Sequence, residues 1–183
     1  MAAERLCGGV LSKEAGKALE VITGVSRFEA SGEDSTVRAA ARALTREGES
    51  SVFGNGDICR IFSPSDGTSE GIRVTWELSN VRSKPSTSTS RFTLLPMGVE
   101  SATASNVAFL TFACYEKEGV DSTPEYVTID AQSTGRVVEP EGDAQALKDA
   151  YATLVHSFSL AMAKELGCKD NGGLKSKPSL TPA

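Results

Sequence analysis

Histidine is almost missing from this 183-residue chain, with His156 the only one. A Ser–His–Asp or Cys–His nucleophilic machine would have to be built around that residue, and no G-x-S-x-G elbow accompanies it. The usual His-rich zinc site is excluded on the same ground. The four cysteines, Cys7, Cys59, Cys114 and Cys168, contain no C-x-x-C pair, so neither thiol redox chemistry nor cysteine-ligated zinc has a motif. No apolar run approaches the roughly 18 residues that span a bilayer. The opening Met1-Ala2-Ala3-Glu4-Arg5-Leu6 lacks the apolar stretch of a secretory signal. Positive charge is outnumbered, 19 Lys and Arg against 24 Asp and Glu, for a net charge of −5. That balance argues against nucleic acid or anionic lipid as a partner through the bulk field.

What is present suffices for one domain: a 39% hydrophobic composition over this length supports a real core but not two comfortable ones. Three segments carry a helical period. Ser12 caps the first, in which Ala15, Ala18, Leu19 and Ile22 repeat and Gly24 supplies the stop. Phe28, in the connector that follows, is expected to anchor the core. The second runs from about Glu33 to Glu47, capped by Asp34 or Ser35 and ended by Gly48, with Val37, Ala40, Ala41 and Leu44 as its apolar stripe. Its other side carries a basic row, Arg38, Arg42 and Arg46, read as a solvated face balanced by Glu33, Asp34, Glu47 and Glu49, with a phosphate or anionic-partner site as the alternative. The third and longest spans Asp143 to Leu166, with Leu147, Tyr151, Leu154, Val155, Phe158, Met162 and Leu166 on one side and Gly167 as the stop. His156 falls off that stripe and is expected at the surface.

Between the second and third helices the period changes to two. Ile72-Arg73-Val74-Thr75-Trp76-Glu77-Leu78 alternates without fault, and Ile58 to Phe62, Phe92 to Leu95 and Tyr126 to Ala131 are shorter strands. Asn106 to Tyr115 has no strongly polar face and reads as a central strand. Gly54-Asn55-Gly56-Asp57 reads as a turn, not a phosphate loop, since no helix follows it. Pro64 to Gly71, the Ser/Thr-rich stretch from Asn80 to Ser90, and Ser133 to Gly142 read as connectors. The expected fold is α+β: two N-terminal helices, a mostly antiparallel sheet of about five strands, and a long C-terminal helix packed on it. The domain is expected over residues 1–170, with 171–183 a poorly ordered tail.

Four cysteines admit three pairings. Cys7–Cys59 with Cys114–Cys168 is preferred because each joins a residue flanking a helix to one in or near a strand; closing two loops of about 50 residues would stabilise the fold by roughly 4 kcal/mol each in the chain-entropy account. The alternative is four buried free thiols in a cytoplasmic protein. With disulfides, the expectation is an extracytoplasmic protein, secreted or membrane-anchored, whose signal or anchor has been removed ahead of Met1.

Carboxylates are plentiful, as in Glu116, Glu118, Asp121 and Glu125 around one predicted turn, and two of them meeting across a cleft would supply a general acid and base. Solvation of the surface is the simpler role. Asp66-Gly67-Thr68-Ser69-Glu70 matches only fragments of a calcium loop. No cofactor motif and no metal site is found, and no catalytic residue is assigned. If a ligand is bound, the space where the long helix crosses the sheet is the expected position.

Leu6-Cys7-Gly8-Gly9 ahead of an Ala-rich helix, Cys59 in a strand, and Leu166-Gly167-Cys168 closing the last helix resemble the extracytoplasmic domains of streptomycete and related actinobacterial cell-envelope proteins. Many of those are lipoproteins or membrane-anchored proteins of unassigned function. Cys7 departs from a lipobox in having no apolar run before it. The resemblance implies a binding or sensory module for an envelope ligand or protein partner, without catalysis. A carboxylate-dependent hydrolase or isomerase is one alternative, and a purely structural interaction protein is another.

Overall fold

A computed structural model describes residues 1–30, 32, 34–63, 71–81, 91–115, 124–134 and 143–183. Within them a single antiparallel sheet of seven strands is covered on one face by helices. The helices are α1 (Lys13–Thr23), α2 (Val37–Ser50) and α3 (Ala144–Glu165). The strands are β1 (Glu29–Ala30), β2 (Phe53–Phe62), β3 (Gly71–Ser79), β4 (Thr93–Leu94), β5 (Glu100–Thr103), β6 (Val107–Cys114) and β7 (Glu125–Ser133). They lie in the order β1-β2-β3-β7-β6-β5-β4. The α+β class is as expected. The strand count exceeds five by β1, a two-residue edge piece, and β5, four residues without alternating apolar side chains, while the strand expected at Phe92 to Leu95 is the two-residue β4.

Local chemistry sets the helix boundaries. Ser12 accepts a hydrogen bond from the Ala15 amide, and Asp143 accepts from the Gln145 and Ala146 amides, so both expected caps are in place. α2 is instead capped by Thr36, whose hydroxyl accepts from the Ala39 amide, and it runs past Gly48 to Ser50. Gly48 does not end the helix because its missing side chain serves packing: a Cβ there would lie 3.2 Å from Glu125 Oε1 and 3.6 Å from Leu78 Cδ2.

The expected turn at Gly54–Asp57 is part of β2, paired in register with β3. Gly54 and Gly56 leave a slot for the Trp76 ring across the strand pair. A Cβ on Gly56 would lie 2.8 Å from Trp76 Nε1, and one on Gly54 would lie 3.4 Å from Trp76 Cζ3. Trp76 is buried under α2 as a result. The two glycines mark a close approach instead of a reversal of the chain.

The core lies between the sheet and the helices. Val74, Leu78, Ala108, Leu110, Phe112, Val127 and Ile129 meet Leu154, Val155, Phe158 and Met162, all of them buried. α2 packs on β2 and β3, α3 packs on β5, β6 and β7, and α1 packs on α3. Phe28 is buried as expected.

Two disulfides, Cys7–Cys59 and Cys114–Cys168, join residues whose Cα atoms lie 5.6 and 4.9 Å apart, and no cysteine is free. This is the preferred pairing, and two intramolecular bridges fit an oxidising environment. The segment after Cys168, expected as an extension, packs on the domain. Residues Lys169–Gly173 form a 3-10 turn, Leu174 is buried, and the Ala183 amide donates to the Leu94 carbonyl at 3.1 Å. Among the described residues no helix is long and apolar enough to cross a membrane.

Candidate functional site

The face of the sheet opposite the helices carries every second residue of the central strands. Among the described residues no helix packs on it. One cross-strand row reads Leu94, Ala102, Phe109, Asp130, Thr75 and Asp57, from β4 through β5, β6, β7 and β3 to β2. Side chains directly opposite on an antiparallel pair stand about 5 Å apart at Cβ, so Asp130 sits between Phe109 and Thr75. A second row, Glu100, Thr111, Thr128, Glu77 and Asn55, runs beside it. The Thr111 and Thr128 hydroxyls are hydrogen-bonded at 2.8 Å.

Chemistry changes along these rows. Toward β4 the face is apolar and aromatic: Phe92 and Phe109 meet edge to face with ring centroids 6.3 Å apart, Arg91 stands 5.1 Å over the Phe92 ring, and Leu94 is exposed. Toward β2 it is ionic. Asp57 accepts from Arg73 Nε at 2.7 Å and from Arg60 Nη2 at 3.2 Å, a neutralised carboxylate in an exposed pair of contacts.

The Asp130 carboxyl differs from that of Asp57 in having no side-chain hydrogen bond or ion pair to any described residue. Burial, and secondarily the charge of Glu77, push its carboxyl up from 3.8 to about 6. Removing a carboxylate from water disfavours its charged form, and a like charge nearby adds to that. The result is a half-buried acid, poised near neutrality, with an aromatic ring on one side and a hydroxyl on the other. Nothing in the sequence marks it, because a single Asp among outward-facing strand positions has the pattern of a solvated residue.

His156 is only 4% exposed, which corrects its expected surface position. It does turn away from the α3 stripe, but the C-terminal segment covers that side, and His156 Nε2 lies 3.0 Å from the Lys175 carbonyl. Burial holds its imidazole below the ordinary histidine range, partly offset by that carbonyl. A small cavity of about 100 Å³ lies beside it, lined by Met97, Gly98, Leu174 and Lys177 among others. A second, of about 240 Å³, lies between α2 and the end of α3, lined by Arg38, Ala41, Arg42, Thr45 and Glu165.

Both cavities flank α3. The space beneath it, where a ligand was expected, is filled by Leu154, Phe158, Leu110 and Phe112. Among the described residues no group of three or more His, Cys, Asp or Glu side chains could hold a metal ion. Glu116, Glu118, Asp121, the calcium-like fragment at residues 66–70 and most of the Ser/Thr-rich connector lie outside the described residues. Glu125 opens β7 beside α2 and does not join Asp130.

No family model, curated protein or solved structure matches this chain. What the site can do is therefore read from its own chemistry. An unpartnered, partly desolvated carboxyl beside an aromatic face can bind a cationic nitrogen by charge, with the ring adding a cation–π contact. The same acid at about 6, with Glu77 near it, could also exchange a proton close to neutral pH.

Proposed function

We propose that this chain is an extracytoplasmic binding module that recognises, on the face of its sheet opposite the helices, an envelope ligand carrying a cationic nitrogen next to an apolar group. The observation that carries the reading is Asp130: a half-buried carboxyl with no described partner, set between the aromatic end and the ionic end of one face. Natural folds satisfy or neutralise buried charge, and a retained unpartnered acid is a functional-site signal. The two disulfides support the extracytoplasmic setting.

Titration with hexylammonium, hexanol and hexanoate, followed through backbone amide shifts, tests this. Saturable shifts on β6 and β7 with hexylammonium alone, lost in Asp130→Asn, are expected. Equal responses to all three compounds, or binding that survives the substitution, would sink the proposal.

A second reading, a carboxylate-dependent hydrolase or isomerase, is favoured by the proximity of Glu77 to Asp130. Neither cavity described above contains that pair. Chemical change of a bound ligand, abolished by Glu77→Gln, would replace the binding reading with this one.

A further inference from the structure

The recess between α2 and the C-terminal end of α3 is the second place where charged side chains surround empty volume, and its reading does not depend on the sheet face that carries Asp130. We propose that it is an anion site that takes a phosphoryl group, with Arg38 and Arg42 as its ligands and Glu165 as an internal competitor. Arg38 and Arg42 stand one helical turn apart, which places their side chains on the same stripe of α2. Ala41, small and buried, lies between them in sequence and contributes to the floor. The volume of about 240 Å³ is below that of ordinary pockets for drug-sized ligands but holds a tetrahedral oxyanion.

Arg38 Nε lies 3.5 Å from Glu165 Oε2, while its side chain remains 70% exposed. An exposed pair of this kind contributes little to stability, so the carboxylate is easily displaced. Arg42 has no partner among the described residues. Two guanidinium forks, one unpaired and one weakly held, match the oxygens of a phosphoryl group, with more than one donor on each fork able to reach them. Thr45 lines the wall, its hydroxyl already donating to the Ala41 carbonyl at 3.0 Å. Arg46 continues the basic row but does not line the recess. In a chain of net charge −5 the site is a local exception to the bulk field.

The test uses the intact, disulfide-bonded chain at fixed ionic strength. Inorganic phosphate and pyrophosphate are titrated while the α2 and α3 amide signals are followed, and vesicles of phosphatidylglycerol are compared with vesicles of phosphatidylcholine. Saturable shifts at Arg38, Arg42 and Thr45 are expected, weakened at least tenfold in Arg42→Ala and strengthened several-fold in Glu165→Gln, with Arg46→Ala close to wild type. All three changes are at exposed positions, and a thermal melt confirms that each variant is folded. Binding to phosphatidylglycerol vesicles with the same Arg42 dependence assigns the site to a lipid headgroup; binding to the free anions alone assigns it to a soluble phosphoryl ligand. Absence of saturable shifts in every arm, a loss in Arg46→Ala equal to that in Arg42→Ala, or no tightening in Glu165→Gln would overturn the proposal.

Discussion

Replacing Asp130 by Asn should stabilise the protein at neutral pH, although the change removes a charged group from the proposed binding face. A carboxyl lying at about 6 in the fold and at 3.8 when free differs by roughly two pH units, and each is worth about 1.4 kcal/mol, so ionised Asp130 costs the native state about 3 kcal/mol. Asn has the same shape without the charge, but its amide also loses water, at about 1 kcal/mol, which leaves a net gain of about 2 kcal/mol. The direction with pH follows from the proton count. The folded chain holds a proton that the unfolded chain has released between 3.8 and about 6, so the contribution of Asp130 to stability falls as pH rises through that window. Urea unfolding of both proteins with disulfides intact measures the difference. Asp130→Asn should lead by about 2 kcal/mol at pH 7.5, with no advantage left near pH 3.5 and no change in the slope against urea. A variant that is neutral or destabilised at pH 7.5, or a gap that does not vary with pH, would refute the account of a desolvated, uncompensated carboxyl.

Three further outcomes follow from the fold. The double replacements Cys7→Ala with Cys59→Ala, and Cys114→Ala with Cys168→Ala, should each lower stability by about 4 kcal/mol on the chain-entropy account, since the bridges close separations of 52 and 54 residues; denaturant midpoints of the two variants should therefore be similar. Gly56→Ala should cost about 1–3 kcal/mol by forcing the Trp76 ring out of its slot. A changed near-ultraviolet circular dichroism signal should accompany that loss, and an unchanged signal would refute the close-approach reading. His156, whose pKa is depressed by burial, contributes stability that is complete above the ordinary value near 6.5 and is lost as pH falls through its lower folded value. Its ring proton resonances should accordingly titrate below 6.5, and a midpoint at or above that value would contradict the packing of the C-terminal segment over it.

Much of the frame was legible from residues that act locally. Ser12 and Asp143 declare their helices by capping chemistry, and Ile72 to Leu78 declares its strand by strict alternation. Cysteines beside helix ends and in strands also suggested their own pairing. What escaped depended on neighbours distant in sequence. Gly54 and Gly56 have the composition of a turn, and only Trp76 across the strand pair explains them as a strand. Gly48 resembles a helix stop until Glu125 and Leu78 are seen beside it. Glu100-Ser101-Ala102-Thr103 has no alternation to read, because the apolar cover of β5 is supplied by α3 and β6. His156 was placed on the correct side of α3, but its environment is set by Leu174 and Lys175, which the low-complexity tail gave no reason to bring back. Asp130 is the same lesson at the candidate site: its pattern is that of a solvated residue, and its chemistry comes from Phe109, Thr75 and Glu77 on the neighbouring strands.

The two bridges also decide how the molecule would respond to being pulled. Tension applied on the N-terminal side of Cys7 crosses directly to Cys59 in β2, while tension on the C-terminal side of Cys168 crosses to Cys114 in β6. α1, α2 and α3 are thereby bypassed, and the load is borne across β3 and β7, the two strands that lie between β2 and β6 in the sheet. Only the chain from Cys59 to Cys114, about 55 residues, can lengthen between the bridges, roughly 190 Å at full extension. Under tension the domain would therefore behave as a short, covalently limited link, and reduction of either disulfide would lengthen that link before releasing it.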